Sequence, residues 1–328
     1  MSKSKIEWTD KVWNPVTGCN KVSQGCKNCY AKTLHDKRHK AFLAGKLQNV
    51  KQYSVPFETV MLHQKRLADP LKWKKPAMIF VNSMSDLFHE DVPFEFISSV
   101  FSVMSDCDQH IFQVLTKRPE RMLDFFQWKY RQFGVPWRPS DNVWIGVSVE
   151  NQETANERIH HLKYINASVK FLSCEPLLGP IDFEKAIGDS LKWHIGGLKN
   201  CISWVICGGE SGPNARPMHP DWARSLRDQC AAAGVSFFFK QWGEWAPVED
   251  VDPSGDIVWL DHKSDELKER KKPIPHICIN HEDKTSQAAN DVIGSGEKNQ
   301  ILYRFGKHIS GSTLDGKQHL EFPKRFKP

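Results

Sequence analysis

Cys19, Cys26 and Cys29 stand in the run Gly18-Cys19-Asn20-Lys21-Val22-Ser23-Gln24-Gly25-Cys26-Lys27-Asn28-Cys29-Tyr30, with no fourth cysteine close by. Thiolates select iron–sulfur clusters, zinc or copper(I) over hard cations, and closed structural zinc sites use four protein ligands. Three thiols from one loop therefore predict a metal centre with one position open. Three arrangements fit the spacing. The thiols hold an iron–sulfur cluster through three of its irons; or His35 or His39 completes a zinc site; or Cys26 and Cys29 form a redox pair and Cys19 is idle. Gly18 and Gly25 each precede a cysteine and permit close backbone approach to an inorganic core.

Such a loop needs a scaffold. Short, nearly continuous apolar runs recur at 59–62, 77–82, 111–115, 143–148, 169–173, 204–207 and 235–240, as expected for strands covered on both faces. A short first strand falls within 8–16, and a helix follows the cysteines at 31–43. Further helices are expected at 93–105, 119–133, 151–166 and 220–233. Pro93, Pro119 and Pro220 suit first helical turns, and Gly134 and Gly234 suit the stops. This alternation predicts an α/β fold, a full or partial (β/α) barrel with right-handed crossovers. The barrel is expected over residues 1–245, with insertions near 187–201 and 248–297 and a closing tail from Asn299, so that 246–328 forms a C-terminal extension.

Barrels of this type carry their chemistry at the C-terminal ends of the strands. Those ends are unusually charged here: Asp86, Lys117, Arg118, Glu150, Glu175, Glu210 and Lys240 all follow apolar runs. The cysteine loop, placed after the first strand, is expected at the same mouth. Cys174 and Cys207 end strands as well, and Cys278 with His281 forms a weak half-site.

The 328 residues are 40% hydrophobic and 26% charged, with a formal net charge of +6. They include no apolar run long enough to span a bilayer and no apolar signal segment at the polar start, which predicts a cytoplasmic protein without a membrane partner. The nine cysteines are then metal ligands or buried thiols rather than disulfides. The mild basic excess, with clusters at Lys32, Lys37, Arg38 and Lys40, at Lys72, Lys74 and Lys75, and at Lys324, Arg325 and Lys327, permits a nucleic-acid partner. Trp8, Trp13, Trp137, Trp242 and Trp245 lie in polar, Pro- and Gly-rich segments, where aromatic faces can stack on bases.

The run Trp13-Asn14-Pro15-Val16-Thr17-Gly18-Cys19, followed by Gly25-Cys26-Lys27-Asn28-Cys29-Tyr30-Ala31, resembles the three-cysteine-motif proteins of phages and bacteria grouped with the radical S-adenosylmethionine (SAM) superfamily. Phe80-Val81-Asn82-Ser83-Met84-Ser85-Asp86, Leu115-Thr116-Lys117-Arg118-Pro119, Glu175-Pro176-Leu177-Leu178-Gly179-Pro180, Gly208-Gly209-Glu210-Ser211-Gly212 and Lys240-Gln241-Trp242-Gly243 are similar too, so the likeness runs along nearly the whole chain. The resemblance implies a barrel of the radical SAM type. Cys19, Cys26 and Cys29 would hold a [4Fe-4S] cluster whose fourth iron binds SAM, and one electron from an external donor would cleave SAM to a 5′-deoxyadenosyl radical. Most of that superfamily spaces the cysteines as Cys-x3-Cys-x2-Cys; this chain has six residues between the first two.

On that footing Asn82, Ser83 and Asp86 match the place where the superfamily recognises the SAM amine. Lys117 or Arg118 would face its carboxylate, and Ser148, Glu150 or Asn151 its ribose. Glu175, Glu210 and Lys240 are left for substrate, and Cys174 for radical relay or hydrogen donation. A nucleic acid, a nucleotide or a protein is the expected partner. Two other functions fit the same residues: a zinc-stabilised nucleic-acid-binding protein without catalysis, and a DNA-lesion lyase resembling spore photoproduct lyase, which shares the Cys-x-x-Cys-Tyr ending.

Overall fold

Six of the seven apolar runs and the short first strand assemble, in chain order and all in parallel, into one sheet. They are β1 (Lys11–Trp13), β2 (Met78–Val81), β3 (Ile111–Thr116), β4 (Val143–Ser148), β5 (Lys170–Cys174), β6 (Trp204–Gly208) and β7 (Ser236–Gln241). The computed structural model describes residues 4, 6–48, 50–188, 197–251, 276–280, 285–286 and 299–323. Because each strand pairs with the next and none reverses the order, the sheet curls in one sense. It forms a partial barrel with β1 and β7 at its two edges.

The crossovers carry the five expected helices, α1 (Tyr30–Leu43), α2 (Phe94–Asp106), α3 (Pro119–Phe133), α4 (Gln152–Leu162) and α6 (Pro220–Ala233), and a short one not expected from the sequence, α5 (Phe183–Ile187). Pro119 and Pro220 open α3 and α6, and Pro93 caps α2. Gly134 and Gly234 close α3 and α6 at φ of 69° and 65°, the left-handed conformation that glycine adopts without a Cβ penalty. Helix α4 stops at Leu162 rather than at 166, and the turn that follows buries Ile165 in the core.

Alternation along the strands divides the core in two. One set of side chains, including Ile79, Val114, Ile145, Leu172, Val205 and Phe239, meets the helices. The other set, Phe80, Trp144, Phe171, Trp204 and Phe238 with Trp8, fills the inside of the curl. Gly146 makes room there, since a Cβ at that position would sit 2.6 Å from the Phe171 ring. The interior is thus a packed aromatic layer below the mouth, as in complete barrels of this kind.

The stretch at 59–62 is not a sheet strand. Met61–Leu62 pairs antiparallel with Val16–Thr17 outside the barrel sheet. Its neighbours instead back the cysteine loop: Phe57 accepts from the Cys19 amide at 3.0 Å. The tail packs under the barrel, with Phe322 5.1 Å from Trp204 and 5.5 Å from Phe238 between ring centres. His319 and Glu321 pair with the free edge of β7. Most of the insertion at 248–297, His281 and the basic cluster from Lys324 lie outside the described residues. No helix of the described residues is long and apolar enough to cross a membrane.

Candidate functional site

The C-terminal ends of β2 to β7 and the cysteine loop enclose one cavity of about 560 Å³. Cys19, Cys26 and Cys29 all line it, as do Asn82, Ser83 and Asp86 after β2, Lys117 and Arg118 after β3, Ser148 on β4, Glu175 after β5, Glu210 after β6 and Lys240 on β7. The charged rim and the three thiols therefore meet at one mouth. Neither His35 nor His39 lines the cavity. Their ring nitrogens sit on the Val55 and Tyr53 carbonyls at 2.9 and 2.8 Å.

All three thiols are unbridged and partly exposed. Among the described residues, no three of His, Cys, Asp or Glu stand in an arrangement that could grip a metal ion as drawn. Burial first, and then Asp86, push the Cys19 thiol up to about 11 against the pull of Arg118. Metal uptake must therefore displace a proton from that sulfur. The Arg118 guanidinium lies 3.5 Å from Cys19 Sγ and donates to the Asn20 carbonyl at 3.4 Å. The donor set still suits a thiolate-bound centre: three sulfurs of one loop share a cavity wall, and among the described residues no further cysteine or histidine lines that cavity to close the set.

Several side chains assigned from sequence prove to be occupied. Asp86 accepts from Thr116 Oγ1 at 2.7 Å and from the Lys117 and Phe88 amides at 3.0 Å, with Arg118 at 3.5 Å. Glu150 is fully buried between both Arg158 contacts, at 3.1 and 3.2 Å, and Ser23 Oγ at 3.1 Å, and it does not line the cavity. Burial would raise its carboxyl, but Lys117 and Arg158 outweigh that and hold it below its ordinary range. Asn151 caps α4 by accepting from the Thr154 amide at 3.0 Å and does not line the cavity. Glu210 lines the cavity but takes two side-chain bonds from Arg216, at 2.9 and 2.7 Å, and one from Asn28 Nδ2 at 2.9 Å.

Cys174 is on the wrong face. It is 0% exposed, packs among the helix-facing residues and is absent from the cavity wall, and burial raises its thiol well above its ordinary range. Cys207 is its register partner on β6 and shares that environment. The tryptophans are likewise structural: Trp13 and Trp242 are buried and donate to the Arg66 and Thr313 carbonyls, and Trp137 and Trp245 pack against the core. Of the five, only Trp8 reaches the cavity. The glycines before the cysteines approach protein rather than an inorganic core. A Cβ at Gly18 would meet the Thr59 carbonyl oxygen at 2.2 Å, and one at Gly25 would meet Glu150 Oε1 at 2.3 Å.

What remains turned to the cavity is narrower than the sequence suggests. Asn82, at φ 61° and 3% exposed, accepts from the Val16 amide through Oδ1, and its Nδ2 has no partner among the described residues. That group is a donor, which would match a carboxylate or carbonyl better than an amine, but it is itself buried beneath the cavity surface. Glu175 and Lys240 face each other at 2.5 Å across the β5 and β7 ends. Arg158, Arg216, Ser23 and Asn28 escaped sequence reasoning because their partners are set by tertiary contact; only the charge of the arginines is visible in the chain.

A family model described as "Protein of unknown function (DUF5131)" matches residues 3–323. The chain belongs to the DUF5131 family. No curated protein and no solved structure matches it. The family places no activity on these residues, so the chemistry has to be argued from the cavity itself.

Proposed function

We propose that this DUF5131 chain is an iron–sulfur enzyme of the radical SAM type, with a [4Fe-4S] cluster on Cys19, Cys26 and Cys29, acting on a substrate held at the mouth of the partial barrel. One observation carries the reading: three thiols of one loop line the cavity at the strand ends, and among the described residues no other cysteine or histidine lines it with them. A zinc-stabilised binding protein would need a fourth ligand, and the two histidines available on α1 are turned to backbone carbonyls. When bound, a cluster of this kind with SAM supplies one-electron reductive cleavage, the chemistry the family resemblance implies.

The chain's own groups divide the remaining work. Arg118 places a cation beside Cys19, offsetting the charge of thiolates gathered in a low-dielectric wall. Asn82 and the inward Ser148 line the β2 to β4 side of the cavity with polar side chains. Apolar Phe57, Phe80 and Leu115 line the same cavity and can cover a flat ring. Asp86, Glu150 and Glu210 are consumed by protein donors, so Glu175 and Lys240 are the carboxylate and amine left facing bound substrate.

Anaerobic reconstitution with iron and sulfide tests this directly. The expected result is a brown protein, loss of colour in Cys26→Ala, and 5′-deoxyadenosine when SAM and a strong reductant are added. A colourless protein carrying one tightly held zinc overturns the reading.

A further inference from the structure

Between Cys19 and Cys29 the loop has almost no regular structure, only a single turn of 3₁₀ helix at Gln24–Cys26. Its shape is held instead by the barrel. Asn20 is bonded from Arg118 beyond β3, at 3.4 Å. Ser23 Oγ donates to Glu150 after β4 at 3.1 Å, and Gly25 lies flat on the same carboxylate. The Gln24 carbonyl accepts from Arg216 at 3.0 Å, and Asn28 Nδ2 donates to Glu210 after β6 at 2.9 Å and to the Asn214 carbonyl at 2.7 Å. Each of the two carboxylates is matched by its own arginine, Arg158 for Glu150 and Arg216 for Glu210.

We infer that Glu150 and Glu210 are positioning residues that clamp the cysteine loop in its ligand-binding shape before any cluster arrives, Glu150 through Ser23 of the six-residue spacer between Cys19 and Cys26 and Glu210 through Asn28 of the two-residue spacer that follows. The inference rests on the cluster reading for its consequence, not for its geometry. Two bare carboxylates beside three thiolates would repel an anionic cluster; paired with arginine they are neutral and serve as rigid acceptors. Ser23 and Asn28 lie within the two intercysteine spacers, so their tethers fix the path on both sides of Cys26. A loop ordered beforehand pays less conformational entropy on binding. A first spacer of three residues would give the loop less chain with which to reach Glu150 at the β4 end.

The test uses Ser23→Ala and Asn28→Ala, both partly exposed positions whose truncation removes neither member of the two arginine–carboxylate pairs. Hydrogen exchange over residues 20–28 is measured in the metal-free chain. Cluster loss to a chelator and the electron-paramagnetic-resonance signature are measured after reconstitution. Expected are faster exchange in that segment at an unchanged melting temperature, cluster loss about tenfold faster than wild type, the scale typical of residues that orient metal ligands, and an altered spectroscopic signature. Variants that keep the cluster as tightly as wild type overturn the inference. A wild-type chain that takes up no cluster overturns the cofactor reading and the clause resting on it, whereas unchanged exchange in the metal-free variants overturns the tethering itself.

Discussion

At the scale of single residues, the assignment of charged groups turns on what each one touches. Asp86, Glu150 and Glu210 look alike in sequence, each an acid after an apolar run, yet each is satisfied by protein donors, while Glu175 meets Lys240 alone among hydrogen-bonding partners in the described residues. Cys174 makes the same point with the opposite sign. Cys174→Ser should lower stability by about 1–3 kcal/mol, the cost of an unpartnered hydroxyl in an apolar core, and leave cluster content unchanged; reduced cluster content at wild-type stability would put that thiol back at the site. Histidines supply a pH dependence. Burial lowers His63 to about 4, with Arg66 adding to it, and burial likewise lowers His89 and His110. The unfolded chain, whose histidines titrate near their ordinary value of about 6.5, then binds more protons than the native one below that pH. This stability is therefore complete above about pH 6.5 and is lost as the pH falls toward 4. The urea midpoint should be lower at pH 5 than at pH 7.5, and equal midpoints would contradict the assignment.

Elements place these groups through simple periodicities. On β4 the inward positions are Trp144, Gly146 and Ser148, so one strand contributes an aromatic floor, a gap and a polar contact in turn. Gly146→Ala would push a methyl group into the Phe171 ring and should cost about 1–3 kcal/mol as overpacking. Chemical denaturation measures this, and a change under about 0.5 kcal/mol would mean that the ring has room to move. The helix boundaries were legible because prolines and glycines act locally: Pro119, Gly134, Pro220 and Gly234 mark ends that the structure places at the same residues. The stretch at 59–62 was not, since four apolar or β-branched residues carry no sign of whether they pair within a barrel or beside a loop.

For the whole molecule, the question is what closes a sheet of seven strands whose edges do not meet. Part of the answer is the tail, whose Phe322 lies against Trp204 and Phe238 and whose backbone pairs with β7. Phe322→Ala should destabilise by about 2 kcal/mol, less than the ~3–5 kcal/mol of a fully buried phenylalanine because the ring is only partly covered. Wild-type thermal stability in that variant would show that the aromatic layer seals itself. Lys307, also from the C-terminal part, lines the cavity, so this segment joins both the core and the site.

The place of 59–62 and the short helix at Phe183–Ile187 aside, the chain read alone already indicated the alternation of strands and helices, the parallel sheet that such an alternation imposes, and the convergence of three thiols with a charged rim. Those follow from short-range properties: apolar periodicity, turn chemistry, and the rule that parallel strands deliver their C-terminal ends to one side. Only the tertiary structure decided which acids are free, which face of β5 carries Cys174, and where the tryptophans go. A strand exposes alternate residues to opposite environments, so a shift of one position moves a side chain from cavity to core. A buried carboxylate, for its part, is defined by a partner that can lie anywhere in the chain: Glu150 meets Arg158 close by and Ser23 from 127 residues away.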